Sequence, residues 1–158
     1  MVRTLIVLVL LLRVSLASAG ELAMSMYIEP REMKSGSWPV FVVTFTNTSN
    51  RSIHVLDSAR GDLQAAYLPI DIYENSRKVD LARAISDPGP LSDKAYRAIG
   101  PHQSAVVRLQ SLPIAVHHLK PGRYTARVEY REPGRSAGIV AVGAEAPLGV
   151  RECERPGT

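Results

Sequence analysis

A chain of 158 residues with a formal net charge of +4 has room for one ordinary domain and a short segment to deliver it. Its 19 basic and 15 acidic side chains nearly balance and the basic ones are scattered, which excludes the concentrated basic stripe of a nucleic-acid-binding protein. One cysteine, Cys153, excludes an internal disulfide, so the domain must hold together by its core alone.

The chain begins with a charge at Arg3, then an unbroken apolar run from Leu5 to Leu12, then Ala17-Ser18-Ala19 before Gly20. Charged start, short apolar centre and A-x-A exit are the parts of a secretory signal. The apolar run is much shorter than the roughly 20 residues a membrane span needs, and Arg13 interrupts it. Signal peptidase accepts small side chains at the last and third-last positions, which Ala17 and Ala19 satisfy. The expected mature chain begins at Gly20 and is secreted or periplasmic, with no stable membrane span. Without Arg3 and Arg13 it carries 17 basic against 15 acidic side chains.

From residue 20 to about 150 the dominant signal is alternation of apolar and polar side chains, the period of a half-buried strand. Leu22, Met24, Met26 and Ile28 form the first run; Phe41, Val43 and Phe45 the second; Ile53 and Val55 the third; Leu68, Ile70 and Ile72 the fourth. Ala105, Val107 and Leu109 form the fifth, and Tyr124, Ala126, Val128 and Tyr130 the sixth. The apolar stretch Ile139 to Val142 supplies a seventh. One wet and one dry face per strand is the mark of antiparallel pairing. Seven such strands bury their dry faces most simply as two stacked sheets. Turn residues agree: Asn47-Thr48-Ser49-Asn50 after the second run, Pro133-Gly134 after the sixth. Residues 75–103 read as one long connection, and residues 151–158 as a C-terminal tail.

The segment Leu119-Lys120-Pro121-Gly122-Arg123-Tyr124, just ahead of the sixth strand, resembles the tyrosine-corner region of fibronectin type III and other immunoglobulin-like sandwiches. Val40 to Asn47 is similar to the second strand of exported bacterial immunoglobulin-like domains. The resemblance implies an all-β, seven-stranded antiparallel immunoglobulin-like β-sandwich in which Tyr124 bonds back to the chain upstream. It departs from antibody-type domains, since there is no Cys…Trp…Cys and Trp38 precedes the second strand. Such sandwiches serve many functions, so the resemblance narrows function little.

Chemical signatures are few. His54, His102, His117 and His118 show no zinc spacing, and His117 and His118 would face opposite ways on extended backbone. There is no G-x-S-x-G, and Cys153 lies in a Pro/Gly-flanked tail with no helix start to lower its pKa. Gly134, Gly138 and Gly143 are not spaced as a phosphate loop. Asn47-Thr48-Ser49 and Asn50-Arg51-Ser52 fit the glycosylation pattern, although turn formation accounts for the same residues. Trp38, Tyr67, Tyr73 and Tyr96 offer a stacking surface for sugar if exposed in a line. The mixed-charge connection offers Arg83, Asp87 and Arg97 as binding-loop residues, since recognition gathers on loops held by rigid scaffolds. The reading is a non-enzymatic extracytoplasmic binding module for a protein or glycan, with no catalytic residue, metal or cofactor. A proteinase-inhibitor-like sandwich is one version; a carbohydrate-binding or adhesion module and an enzyme of unmarked type are the alternatives.

Overall fold

In a computed structural model of the chain, the described residues are 18–19, 21–57, 66–82, 91–110, 116–130 and 142–152. They are all-β. The strands are β1 Ser18–Ala19, β2 Leu22–Glu29, β3 Glu32–Lys34, β4 Val40–Asn47, β5 Ile53–Leu56 and β6 Ile70–Glu74. β7 Arg77–Lys78, β8 Tyr96–Ile99, β9 Ser104–Gln110, β10 Gly122–Tyr130 and β11 Val142–Arg151 follow. Two 3-10 turns, Asp93–Ala95 and Val116–His118, precede β8 and β10.

Three sheets result. One has the order β1-β2-β4-β9, a second β3-β11-β10-β6-β7, and β5 pairs with β8. The alternation read from the sequence decides which faces meet. Phe41, Val43 and Phe45 of β4, Leu109 of β9, Tyr124, Ala126, Val128 and Tyr130 of β10, and Leu148 of β11 enter one continuous core. Phe45 and Tyr130 meet edge to face with centroids 5.2 Å apart, joining the first two sheets. The Tyr130 hydroxyl accepts the Leu56 N–H at 3.0 Å, so its burial leaves no polar atom stranded and ties β5 to β10.

Several expectations change in detail. The pairing is not wholly antiparallel: β3 runs parallel to β11, with Glu32 opposite Gly149 and Lys34 opposite Arg151. The stretch Ile139 to Val142 lies outside the described residues apart from Val142, where β11 begins. The strand observed there runs on to Arg151, into the expected tail. Alternation is present in it, with Ala144, Ala146, Leu148 and Val150 buried, but Pro147 and Gly149 disguise it. Pro147 is tolerated because Gly149 N–H reaches across to Arg31 O, so the imino nitrogen two residues earlier faces the same side, before β3 begins. The long connection of residues 75–103 contains β7 and β8, and only 83–90 lies outside the described residues. Asn75 and Ser76 both take positive φ, 46° and 67°, the requirement of a two-residue turn between β6 and β7. The Pro133-Gly134 turn lies outside the described residues.

Candidate functional site

At the start of β4 the chain makes an aromatic projection. Lys34 to Ser37 forms a tight turn: Ser37 N–H donates to Lys34 O at 3.0 Å, and Gly36 has φ +86°. A type II turn needs that left-handed backbone at its third residue, where glycine is free of the Cβ clash. Two further bonds clamp the turn to other elements, Ser35 N–H to Arg151 O at 2.9 Å and Gly36 N–H to His117 O at 3.2 Å. Trp38 follows and precedes the buried Pro39, whose ring restricts the backbone of the residue before it. The Trp38 backbone is therefore constrained from both sides in sequence, and 47% of the residue is exposed.

What lies against it is imidazole. The Trp38 and His117 rings have centroids 4.0 Å apart at an interplanar angle of 37°. His117 and His118 are also 4.0 Å apart, at 42°. The expectation that these histidines diverge assumed extended backbone. The 3-10 turn Val116–His118 overturns it, because consecutive side chains there diverge by about 120° rather than the roughly 180° of a strand, which leaves the two rings within contact. His117 Nδ1 is buried and has no hydrogen-bond partner among the described residues. Burial, and secondarily the neighbouring His118, lowers the His117 pKa from the ordinary 6.5.

The same end of the domain is basic. Lys34 and Arg151 are neighbours across β3 and β11, and Arg123 lies opposite Gly149, with Glu32 on its far side. Arg31, Lys34, Lys120 and Arg123 are exposed and, among the described residues, have no carboxylate within ion-pair distance. The acidic groups nearby are Glu32, paired with Arg151, and Glu74 and Glu152. The Tyr124 hydroxyl donates to Lys120 O, four residues upstream, at 2.9 Å, fixing the approach to β10 beside His118. Burial, and then Glu74, raises the Tyr124 pKa from its ordinary 10, the direction that favours the protonated, donating hydroxyl.

Comparison with known proteins assigns no family. No protein-family model matches this chain, and no curated protein matches it. Solved structures with a similar backbone include the CARDB domain of PF1109 from Pyrococcus furiosus in complex with di-metal ions. It is 11% identical, with 87% of this chain and 99% of that one covered and a TM-score of 0.38. The Pseudomonas fluorescens alkylpurine DNA glycosylase AlkC is 11% identical over 85% of this chain and 31% of its own, TM-score 0.40. A β-glucosidase from Listeria innocua is 14% identical over 84% and 17%, TM-score 0.38. Likeness at this level assigns neither a topology nor a function.

The residues singled out from sequence disperse. Of the three binding-loop candidates, Arg83 and Asp87 lie outside the described residues. Arg97 is exposed on β8 and pairs with Asp57 at 3.5 Å. Ala17 and Gly20 lie outside as well, whereas Ala19 sits opposite Leu22 in the β1–β2 pair. Cys153 also lies outside. Tyr67, Tyr73 and Tyr96 are half-buried; Tyr73 carries the Arg127 guanidinium 4.2 Å from its ring centroid. They do not extend the Trp38 row, whose other members are the two histidines. No group of three or more metal-ligating side chains occurs among the described residues. Of the two glycosylation patterns, Asn47 is fully buried and all its polar atoms are engaged, so only Asn50 presents its side chain to solvent.

Proposed function

We propose that this protein is a non-enzymatic binding module that works outside the cytoplasm and recognises its partner with the Trp38 end. The observation that carries the reading is the half-exposed indole of Trp38 seated on His117. A large aromatic fixed before binding gives contact area without the entropy cost of ordering it, which is why such residues dominate recognition surfaces. An immunoglobulin-like sandwich is the scaffold we infer. In support, β2-β4-β9 corresponds to the order A-B-E and β11-β10-β6 to G-F-C, and Tyr124 stands where the corner tyrosine of strand F stands. The β5–β8 pair is additional to that scheme. Export rests on the signal pattern of residues 1–19.

Two measurements test this. The intact mass of the exported protein is expected to correspond to a chain starting at Gly20; retention of residues 1–19 contradicts the export reading. Mature protein is expected to capture a partner from envelope or secreted fractions, and Trp38→Ala to lose it. Undiminished capture by Trp38→Ala contradicts the site.

A further inference from the structure

We propose that the Trp38 end binds an acidic polysaccharide, one whose sugar rings carry carboxylates. The inference rests on the binding-module reading and names its ligand.

Three observations converge. First, Trp38 offers a flat apolar surface with His117 behind it and nearly half its area in water. Such a surface suits the C–H face of a pyranose, which is apolar at its centre and polar at its rim. Second, His118 extends the row and is exposed, so a polar ring borders the apolar one where sugar hydroxyls would fall. Third, charge is distributed unevenly. Arg51, Lys78, Arg97, Arg108 and Arg127 each have a carboxylate partner. At the Trp38 end Arg31, Lys34, Lys120 and Arg123 do not, while Arg151 there pairs with Glu32; among the other described residues Arg77 and Lys94 also lack one. Lys34 ends β3, with Arg31 just before that strand, and Lys120 and Arg123 flank the start of β10. The two strands have β11 between them, a separation of about 9.6 Å at about 4.8 Å per strand. A stiff polymer with a carboxylate on successive rings places its charges along such a row while one ring rests on the indole. Single-stranded nucleic acid also combines stacking with negative charge, but its binders present several stacking aromatics in a strongly basic groove. Here there is one indole, and the chain after Gly20 has only two more basic than acidic side chains.

The test is isothermal titration of the mature protein with four polymers: polygalacturonate, a neutral galactan, polyglutamate and an oligothymidylate. Polygalacturonate is expected to bind at least about tenfold more tightly than each of the others. Trp38→Ala is expected to weaken that binding about tenfold, with Trp38→Phe retaining most of it. Lys34→Glu with Arg123→Glu is expected to weaken it at least as much, and added salt to weaken it progressively. Equal binding of polyglutamate with no effect of Trp38→Ala means charge alone, and overturns the proposal. Preference for galactan or oligothymidylate, or no binding to polygalacturonate, overturns it too. If polygalacturonate fails while a Trp38-dependent partner is still captured from secreted fractions, the binding-module reading stands and only the ligand class falls.

Discussion

The two ends of β4 solve opposite problems. At its C-terminal end Asn47 is fully buried, and its amide is saturated. Nδ2 donates toward Arg51 O at 2.7 Å, Ile99 O at 3.0 Å and Gly100 O at 2.9 Å. Oδ1 accepts the Ser49 N–H at 2.9 Å and the Ser49 hydroxyl at 2.8 Å, and the backbone N–H reaches Gln103 O. At the N-terminal end an indole stands half in water and a buried imidazole nitrogen has no partner. A saturated polar cluster fixes loops and has nothing left to offer a ligand. An unsaturated aromatic end gives up stability and keeps surface for recognition. Asn47, read from the sequence as a turn residue, is a buried structural one, and Trp38, one of four aromatics offered as a stacking surface, is the candidate site.

This contrast can be broken most sharply at Asn47. Asn47→Ala removes the donor of the buried bond to Ile99 O and of the part-buried bonds to Arg51 O and Gly100 O, and the acceptor of the Ser49 N–H. It is expected to cost about 3 kcal/mol, read as a lowered urea midpoint at unchanged slope. A loss of only a few tenths would deny Asn47 its structural role. Tyr124→Phe removes one bond, that to Lys120 O, and is expected to cost about 1–2 kcal/mol. An unchanged urea midpoint would mean that the hydroxyl does not hold the approach to β10. Trp38→Ala is expected to cost about 1 kcal/mol, the worth of one ring contact and partial burial, while abolishing capture. A larger loss of stability than of binding would make Trp38 a packing residue.

The smallest effect concerns pH. The folded His117 pKa lies below its unfolded value of 6.5, so the neutral ring is the form the fold prefers. Below pH 6.5 the unfolded chain binds more protons than the folded one. Stability from this group is therefore complete above 6.5 and declines as pH falls from there through the folded pKa. Trp38 is the sole tryptophan, so its emission reports on the stacked His117 directly. A transition below pH 6.5 that disappears in His117→Asn is expected. The same transition in the variant would assign it to a group other than His117.

The strands were legible because alternation is a property of the sheet face. β2, β4, β9 and β10 fall where period two places them, and Tyr130 and Phe45 meet as core residues of that pattern. The seventh strand was expected over Ile139 to Val142, whereas β11 runs Val142–Arg151, where Pro147 and Gly149 interrupt the apolar alternation. β3 and β7, of three and two residues, are too short to carry a period. The site was half legible. Trp38 stood out by type, but its neighbours come from a 3-10 turn some eighty residues away, and no local pattern announces that His117 will pack beneath it. Asn47 was legible as a turn former, its Oδ1 accepting the Ser49 N–H two residues on, but its full burial was not, since an exposed turn asparagine has the same sequence signature.

The central claim is tested most directly by side-by-side capture with three forms of the mature protein. One is intact, one carries Trp38→Ala, and one has residues 83–90 replaced by a Gly/Ser linker of equal length. The exchange is confined to 83–90 because β7, β8 and the buried Ile99 lie in the rest of that connection. The account predicts that the linker form retains the partner and Trp38→Ala loses it. Loss with the linker and retention with Trp38→Ala would contradict the account and return the site to the loop of Arg83 and Asp87.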